Sequence, residues 1–105
     1  QRILSNESNV LFCARDDGRI VGVLTVVVMR LLSGIACRIE DVVVDADARG
    51  RGIGQALTER GIEHARSIGA KEVDLTSSPS REAANRLYQK MGFQKRDTNV
   101  YRLVL

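Results

Sequence analysis

The sequence has few residues of the kinds that bind metal ions. Its 105 residues include one histidine and two cysteines, and Cys13 and Cys37 do not have the spacing of metal ligands. We therefore expect no metal site. Because the two cysteines fall in separate predicted strands, we expect free thiols, as in a protein of the reducing cytoplasm.

Long apolar runs and aromatic residues are also scarce. The longest apolar run, residues 20–29, contains Gly22 and Thr25 and is too short to span a bilayer. No signal-peptide pattern is visible, so we expect a cytoplasmic protein without a membrane partner. The aromatic residues are two tyrosines and two phenylalanines, with no tryptophan. So small a set offers little for stacking on bases and argues against a nucleic-acid partner.

Proline is rare as well, with a single residue, whereas 44% of the residues are hydrophobic. This composition is typical of an ordered globular chain, and the length suits one domain over residues 1–105. The net charge is +3, and the positive excess lies between residues 81 and 102. A basic surface can attract nucleic acid, but a solvated helix face has the same composition.

The first half of the chain predicts antiparallel strands. Residues 10–15 and 20–29 have the pattern of two strands joined by an Asp-Asp-Gly-Arg hairpin turn, whose glycine can adopt a positive φ. A loop then leads to a third strand at residues 37–44, which completes an antiparallel meander. The polar residues 1–9 predict a loop.

The second half alternates helix and strand. Apolar spacing predicts a helix over residues 53–68, and a strand at 72–76 follows it, parallel to the third strand. The serine–proline pair at 78–79 predicts the start of a second helix, which Gly92 ends. The last strands are predicted at residues 93–95 and 99–105. The fold class is therefore α/β, with a mixed, mostly antiparallel sheet and a central strand–helix–strand crossover.

A glycine-rich loop separates the third strand from the first helix. The first turn of a helix has unpaired N–H groups and the positive end of the helix dipole, and glycines let a ligand approach the backbone. With arginines beside it, the loop suits a phosphate or pyrophosphate, although a turn that only starts a helix is the alternative. The loop residues are Arg49, Gly50, Arg51, Gly52, Ile53 and Gly54.

The spacing of the loop excludes two common phosphate-binding motifs. The motif G-x-x-x-x-G-K-[ST] is absent, because no Gly-Lys-Ser or Gly-Lys-Thr occurs in the sequence. The dinucleotide motif G-x-G-x-x-G needs a third glycine at position 55, where Gln55 stands. The pattern R/Q-x-x-G-x-G/A does match, at Arg49, Gly52 and Gly54.

With this pattern directly after a strand, the chain resembles the GNAT superfamily of N-acetyltransferases, whose pyrophosphate loop for acetyl-CoA has this form. A second segment, EAANRLYQKMGFQKR, resembles the later helix of that family, which ends in Gly-Phe. The resemblance covers the chain from Val10 to the C terminus. It implies a GNAT-like fold whose N-terminal strand and helices are missing.

The resemblance also implies which residues bind the cofactor. The six loop residues would hold the pyrophosphate of acetyl-CoA, and the basic residues between 81 and 102 would attract its phosphates. The main chain of Val42, Val43 and Val44 would pair with the pantetheine amides, although these valines could equally be core residues. Asn85 would hydrogen-bond to the pantetheine arm.

Two residues are implied in catalysis. Tyr88, four residues before Gly92, would protonate the departing thiolate as general acid, with core packing as the alternative. Glu40 would remove a proton from the amine as general base, with a solvent-facing strand residue as the alternative.

Together these features predict an acyltransferase enzyme. We expect an acetyl-CoA-dependent N-acetyltransferase that transfers acetyl directly to a small-molecule or peptide amine. A sheet edge left exposed where the N-terminal elements are missing would favour a homodimer. Two alternatives stay open. One is a non-catalytic, regulatory CoA-binding module, and the other is a basic nucleic-acid-binding domain.

Overall fold

The computed structural model describes the backbone of residues 2–5 and 9–105 and the side chains of residues 9–105. The chain divides into two compact units, the first ending at Leu75 and the second covering Thr76–Leu105. One domain over the whole chain stays a prediction. The strands are β1 (Arg2–Ser5), β2 (Asn9–Asp16), β3 (Arg19–Leu31), β4 (Gly34–Val44) and β5 (Val73–Asp74); the helices are α1 (Ile53–Ser67), α2 (Glu82–Lys90) and a 3-10 helix (Ala46–Ala48).

The first unit is built on one sheet with the strand order β1-β2-β3-β4-β5. Neighbours from β1 to β4 are antiparallel, and β5 pairs with β4 in parallel after the α1 crossover. The predicted fold class, a mostly antiparallel mixed sheet with a strand–helix–strand crossover, is confirmed. Neither described helix is long and apolar enough to cross a bilayer.

The β2–β3 hairpin has the predicted turn. Asp17 and Gly18 have φ angles of 52° and 77°, which is the pair of positive φ values that a two-residue type I′ turn requires. Asp16 and Arg19 are the last cross-strand pair before the turn. The local Asp-Gly signal therefore fixes the register of β2 and β3 next to the turn.

Helix α1 packs on one face of the sheet, where Leu24 and Val26 of β3 are fully buried. Burying such a side chain stabilises the fold by about 1.5–3 kcal/mol. Two glycines let the helix come close. A Cβ at Gly22 would lie 3.0 Å from Ile53 Cγ2, and a Cβ at Gly61 would lie 3.1 Å from Leu24 Cδ2. The start of α1 is thus held against β3.

Strand β4 contains a β-bulge. Its pairing with β3 runs from Val23↔Val43 to Thr25↔Glu40, so two residues of β4, beginning with Asp41, lie opposite one residue of β3. Asp41 has a φ of 54°, in the left-handed region that is uncommon for residues other than glycine. The bulge therefore consists of Asp41 and Val42, and it includes the first of the three valines that were predicted to bind the cofactor.

Three local predictions are wrong. Residues 2–5, expected in a loop, form β1 and pair with β2, because the edge of β2 offers a ladder that the polar composition does not reveal. Helix α2 begins at Glu82 and not at the serine–proline pair. The Ser78 carbonyl accepts a hydrogen bond from the Arg81 N–H at 3.0 Å, which forms a turn before the helix. Residues 93–105, where the last strands were predicted, form no strand, because apolar composition alone supplies no partner for a ladder.

Candidate functional site

The glycine-rich loop joins β4 to α1 as predicted. Gly50 and Gly52 have φ angles of 83° and 76°, which only glycine adopts at low cost. No described atom outside their chain neighbours lies within 4 Å of a Cβ built at either position. The backbone of the loop is therefore open to close approach by a ligand, as a phosphate cradle requires.

The start of α1 leaves its donors available to an anion. The N-cap is Gly52, which has no side chain to accept from the first-turn N–H groups. The first turn contains no acidic residue, so nothing there offsets the positive end of the helix dipole. This arrangement fits a bound phosphate better than an ordinary Ser or Asp cap would.

The two loop arginines differ in their partners. Arg51 Nη2 donates to Asp16 Oδ2 at 2.8 Å, whereas Arg49 Nε donates to the main-chain oxygen of Val44 at 3.3 Å. None of the described carboxylates pairs with Arg49. Arg49 is therefore the cation of the loop whose charge is less compensated, and Arg51 is tied to the β2–β3 hairpin.

The same hairpin also holds the segment that precedes the loop. Arg19 Nη2 lies 3.1 Å from Asp47 Oδ2 and 3.7 Å from Asp45 Oδ2. The hydrogen bond from Arg19, followed by its charge, lowers the pKa of Asp47 below the ordinary value of 3.8. The Asp45 N–H donates to the Val21 oxygen at 2.8 Å, which fixes the point where the chain leaves β4.

The valine segment of β4 lies beyond the parallel ladder. That ladder contains only the pairs Cys37↔Val73 and Arg38↔Asp74, so the following residues of β4 are not covered by β5. Since alternate main-chain groups of a strand point to each side, some N–H and C=O groups of residues 39–44 face this edge. These groups are in position to form main-chain hydrogen bonds with an extended ligand.

The bulge also changes which β4 side chains are buried. Cys37 and Ile39, before the bulge, are buried at 0% and 4% exposure, whereas Val43 is 56% exposed. Val42 and Val44 are half-buried. For Val43 the alternative of a simple core residue is therefore wrong.

Glu40 carries an ion pair on the same strand. Arg38 Nε lies 2.5 Å from Glu40 Oε1, and the two side chains are 36% and 39% exposed. Residues two apart on a strand share a face, so the pair is local. A carboxylate that is paired in this way has fewer free lone pairs to accept a hydrogen bond from an incoming ammonium group. The sequence did not predict Arg38 as the partner of Glu40.

Tyr88 and Asn85 belong to the second unit. Tyr88 is 8% exposed, and its ring lies edge-on to Phe93 with centroids 5.8 Å apart. Asn85 Nδ2 donates to the Ser78 oxygen at 3.0 Å, so the amide helps to hold the turn before α2. The main chain at the Gly92–Phe93 pair ends α2, because the Phe93 N–H donates to the Tyr88 oxygen at 3.0 Å.

Both cysteines are free and buried. Cys13 lies in β2 and Cys37 in β4, with β3 between them. Burial raises the pKa of the Cys37 thiol above its ordinary value of 9.0. The prediction of free thiols is confirmed, and a buried neutral thiol is poorly suited to nucleophilic attack.

Comparison with known proteins agrees with this geometry. The model of the acetyltransferase (GNAT) family matches residues 1–93. The chain belongs to this family. A solved acetyltransferase of Trypanosoma brucei is 36% identical, with a TM-score of 0.79, and the match covers 93% of this chain and 70% of that chain.

Curated members of the GNAT family are similar over part of their length. N-acetyltransferase family 8 member 3 of Rattus norvegicus is 32% identical over 103 residues, which is 96% of this chain and 45% of the relative. Glucosamine 6-phosphate N-acetyltransferase 1 of Oryza sativa subsp. japonica is 40% identical over 62 residues, covering 59% of this chain and 36% of the relative. The chain thus spans less than half the length of these two relatives.

Sequence reasoning missed the charged residues that surround the GNAT loop. Asp16 and Arg19 were assigned only to the hairpin turn, although their opposite charges flank it. Arg51 is 35 positions from Asp16, so no local pattern links them. The bulge at Asp41 was also missed, although an acidic residue that interrupts a β-branched run is a usable signal.

Proposed function

We propose that the chain is an acetyl-CoA-dependent N-acetyltransferase that transfers acetyl directly to an amine. The observation that carries the proposal is the open, uncapped glycine loop at the start of α1, directly after a strand whose parallel ladder has ended. Family membership supports acetyl-CoA as the acyl donor. A cytoplasmic location and a homodimer stay predictions.

The loop would bind the pyrophosphate of the co-substrate. Backbone N–H groups around Gly50, Gly52 and Gly54 would donate to phosphate oxygens, and Arg49 would add a charge-assisted hydrogen bond. The φ values of Gly50 and Gly52 and the space in front of them support this role. Hydrogen bonds to a charged group contribute about 1.5–3 kcal/mol each.

The edge of β4 beyond its pairing with β5 would bind the extended part of the co-substrate. Main-chain groups of Val42, Val43 and Val44 would pair with the pantetheine amides, as an added strand pairs with a sheet edge. A backbone N–H of this segment would also donate to the thioester oxygen, where negative charge develops during attack. Asn85 would contribute a further hydrogen bond to the arm.

The chemistry needs two proton transfers. The attacking amine must lose a proton, which Glu40 would accept after exchanging Arg38 for the amine. The amine nitrogen then bonds to the thioester carbon and the carbon–sulfur bond breaks. The Tyr88 hydroxyl would donate its proton to the sulfur, so that free CoA and the acetylated amine leave, and proton exchange with solvent would restore Glu40 and Tyr88. No covalent acetyl-enzyme is proposed, because the buried Cys37 is held as a neutral thiol.

A small-molecule amine is the acceptor that we propose. The name of the rice relative specifies a phosphorylated amino sugar, and acetyl transfer to a primary amine is the reaction that the two proton-transfer groups would serve. Peptides with free N termini or lysines form the second arm of an acceptor screen. Such a screen uses the full chain, acetyl-CoA and detection of released CoA.

Calorimetric titration of acetyl-CoA tests the binding part of the proposal. The protein should bind saturably, and Arg49→Gln should weaken binding by about tenfold or more, because a charge-assisted hydrogen bond is lost. Arg66→Gln is the matched control, since it removes the same charge roughly 20 Å away along α1, beyond the range of screened charges. Equal losses in both variants would show that only net charge matters.

Replacing Tyr88 by phenylalanine tests the catalytic part. We expect Tyr88→Phe to keep acetyl-CoA affinity while kcat falls about 100-fold, which is the low end for loss of a general acid. Retained affinity without turnover in the unmodified chain would instead indicate a CoA-binding module. Salt-sensitive binding of DNA or RNA that acetyl-CoA does not displace would favour a nucleic-acid-binding domain.

A further inference from the structure

The β2–β3 hairpin and the phosphate loop carry complementary charges. Asp16 and Arg19 face each other across the hairpin, where opposite charges can pair. Here each one pairs with a residue of the connection between β4 and α1, residues 45–52. Arg51 Nη2 lies 2.8 Å from Asp16 Oδ2, and Arg19 Nη2 lies 3.1 Å from Asp47 Oδ2. In one contact the hairpin supplies the carboxylate and in the other it supplies the guanidinium, so the hairpin end is complementary in charge to the segment between β4 and α1.

The backbone fixes the hairpin residues and the connection between β4 and α1 close to each other. The type I′ turn sets the positions of Asp16 and Arg19. The connection from β4 to α1, which contains the loop, begins at Asp45, whose N–H donates to the Val21 oxygen of β3. It ends at Ile53, whose Cγ2 would lie 3.0 Å from a Cβ at Gly22. Both ends of this connection therefore rest on β3, next to the strand end that carries the turn.

Arg51 lies between these two anchored ends. A guanidinium has five N–H donors, and the contact with Asp16 is made by Nη2 alone. The remaining donors form no hydrogen bond with the residues that the structure describes, so they can serve other acceptors. Because an arginine side chain has several rotatable bonds, holding it in place before a ligand arrives reduces the ordering cost of binding.

We propose that Asp16 is a positioning residue of the phosphate loop. It holds Arg51 at Nη2 and so presents the other guanidinium donors to the pyrophosphate of the co-substrate. This inference rests on the proposed function, since Asp16 would act on the same pyrophosphate site through Arg51. Asp16 does not itself contact the ligand.

The test compares Asp16→Asn with Asp17→Asn. Both variants remove one negative charge from the same turn, so both should attract an anion more strongly to a similar extent. They differ because Asp16 pairs with Arg51, whereas Asp17 forms no ion pair with any described residue. Calorimetry should show acetyl-CoA binding to Asp16→Asn about two- to fivefold weaker than to Asp17→Asn, the range expected for an exposed ion pair. ADP, which has the pyrophosphate without the pantetheine arm, should show the same ratio.

A double-mutant cycle isolates the role of Arg51. In an Arg51→Gln background, Asp16→Asn should cause no further loss of affinity, because there is no guanidinium left to position. A merely structural role for Asp16 would lower affinity equally in both backgrounds. Circular dichroism melts of all variants should coincide within the few degrees expected for surface changes.

Two outcomes overturn the proposal. One is equal or tighter binding of acetyl-CoA by Asp16→Asn relative to Asp17→Asn, which would mean that Asp16 competes with the ligand for Arg51. The other is a loss that persists in the Arg51→Gln background. Failure of the unmodified chain to bind acetyl-CoA would instead overturn the proposed function, and the inference with it, so the two failures are distinguishable.

Discussion

Gly54 offers a way to separate folding from ligand binding. It is the second residue of α1, and a Cβ built there would lie 3.9 Å from Val44 Cγ2, which is an ordinary van der Waals contact. Alanine at this position should therefore fit the unliganded protein without rearrangement. It would nevertheless place a methyl group on the backbone that a phosphate must approach.

The expected effects of Gly54→Ala on stability and on binding have opposite signs. Replacing glycine by alanine in a helix stabilises it by about 0.5–1 kcal/mol, which corresponds to a rise in Tm of up to about 4 °C for a chain of this size. Blocking one hydrogen bond from an N–H group to phosphate costs about 1.5–3 kcal/mol, or roughly 10- to 100-fold in the Kd for acetyl-CoA. Thermal melts and calorimetry measure the two effects.

Gly61→Ala is the matched control on the same helix. Its Cβ would lie 3.1 Å from Leu24 Cδ2 and 3.3 Å from Val26 Cγ2, so overpacking of about 1–3 kcal/mol should exceed the helix gain of about 1 kcal/mol. This variant should melt at a lower temperature and, while folded, bind acetyl-CoA normally. The two glycines should thus give opposite patterns.

One result would refute the reasoning about the loop. If Gly54→Ala is as stable as the unmodified protein, or more so, and binds acetyl-CoA with unchanged affinity, the backbone around Gly54 is not the phosphate site. A strong loss of stability would instead contradict the steric argument, because it would reveal a contact that the 3.9 Å separation does not show.

Two predictions concern titratable groups. The pKa of Asp47 lies below 3.8 because of Arg19, so its ionised form contributes stability above that pH, and the contribution is lost as pH falls through the lowered value. NMR titration of Arg19→Gln should show this pKa rising toward 3.8, and an unchanged value would contradict the assignment. Since burial raises the pKa of Cys37 above 9.0, iodoacetamide should label it far more slowly in the native protein than in urea; similar rates would show that the thiol is accessible.

The features that the sequence predicted are those with local signals. The Asp-Gly pair at 17–18 predicts its hairpin because both residues tolerate a positive φ. The glycines of the loop and the apolar spacing after Ile53 predict where α1 begins, to the residue. The order of strand, loop and helix, and the family resemblance that depends on it, could therefore be recognised without a structure.

The features that were missed depend on contacts that the residue pattern does not specify, whether the partners are near or distant in sequence. The last residues, 99–105, are mostly apolar and were predicted as a strand, but a strand exists only where a neighbour completes its ladder. The helix start predicted near Ser78 was overridden by a turn. The contact of Asp16 with Arg51 spans 35 positions. Glu40 was predicted as a base from its place in β4, but its ion pair with Arg38 becomes visible only from side-chain geometry.

The extra residue at Asp41 divides β4 into two segments, and the positions that face the core are odd-numbered in the first segment but not in the second. Before it, odd-numbered positions such as Cys37 and Ile39 are buried; after it, odd-numbered Val43 is exposed. An insertion or deletion of a single residue here would therefore restore a continuous alternation and exchange the inner and outer faces of the final segment. A designer who transfers this strand to another scaffold must carry the irregularity with it, or the exposed edge that follows will present the wrong set of groups.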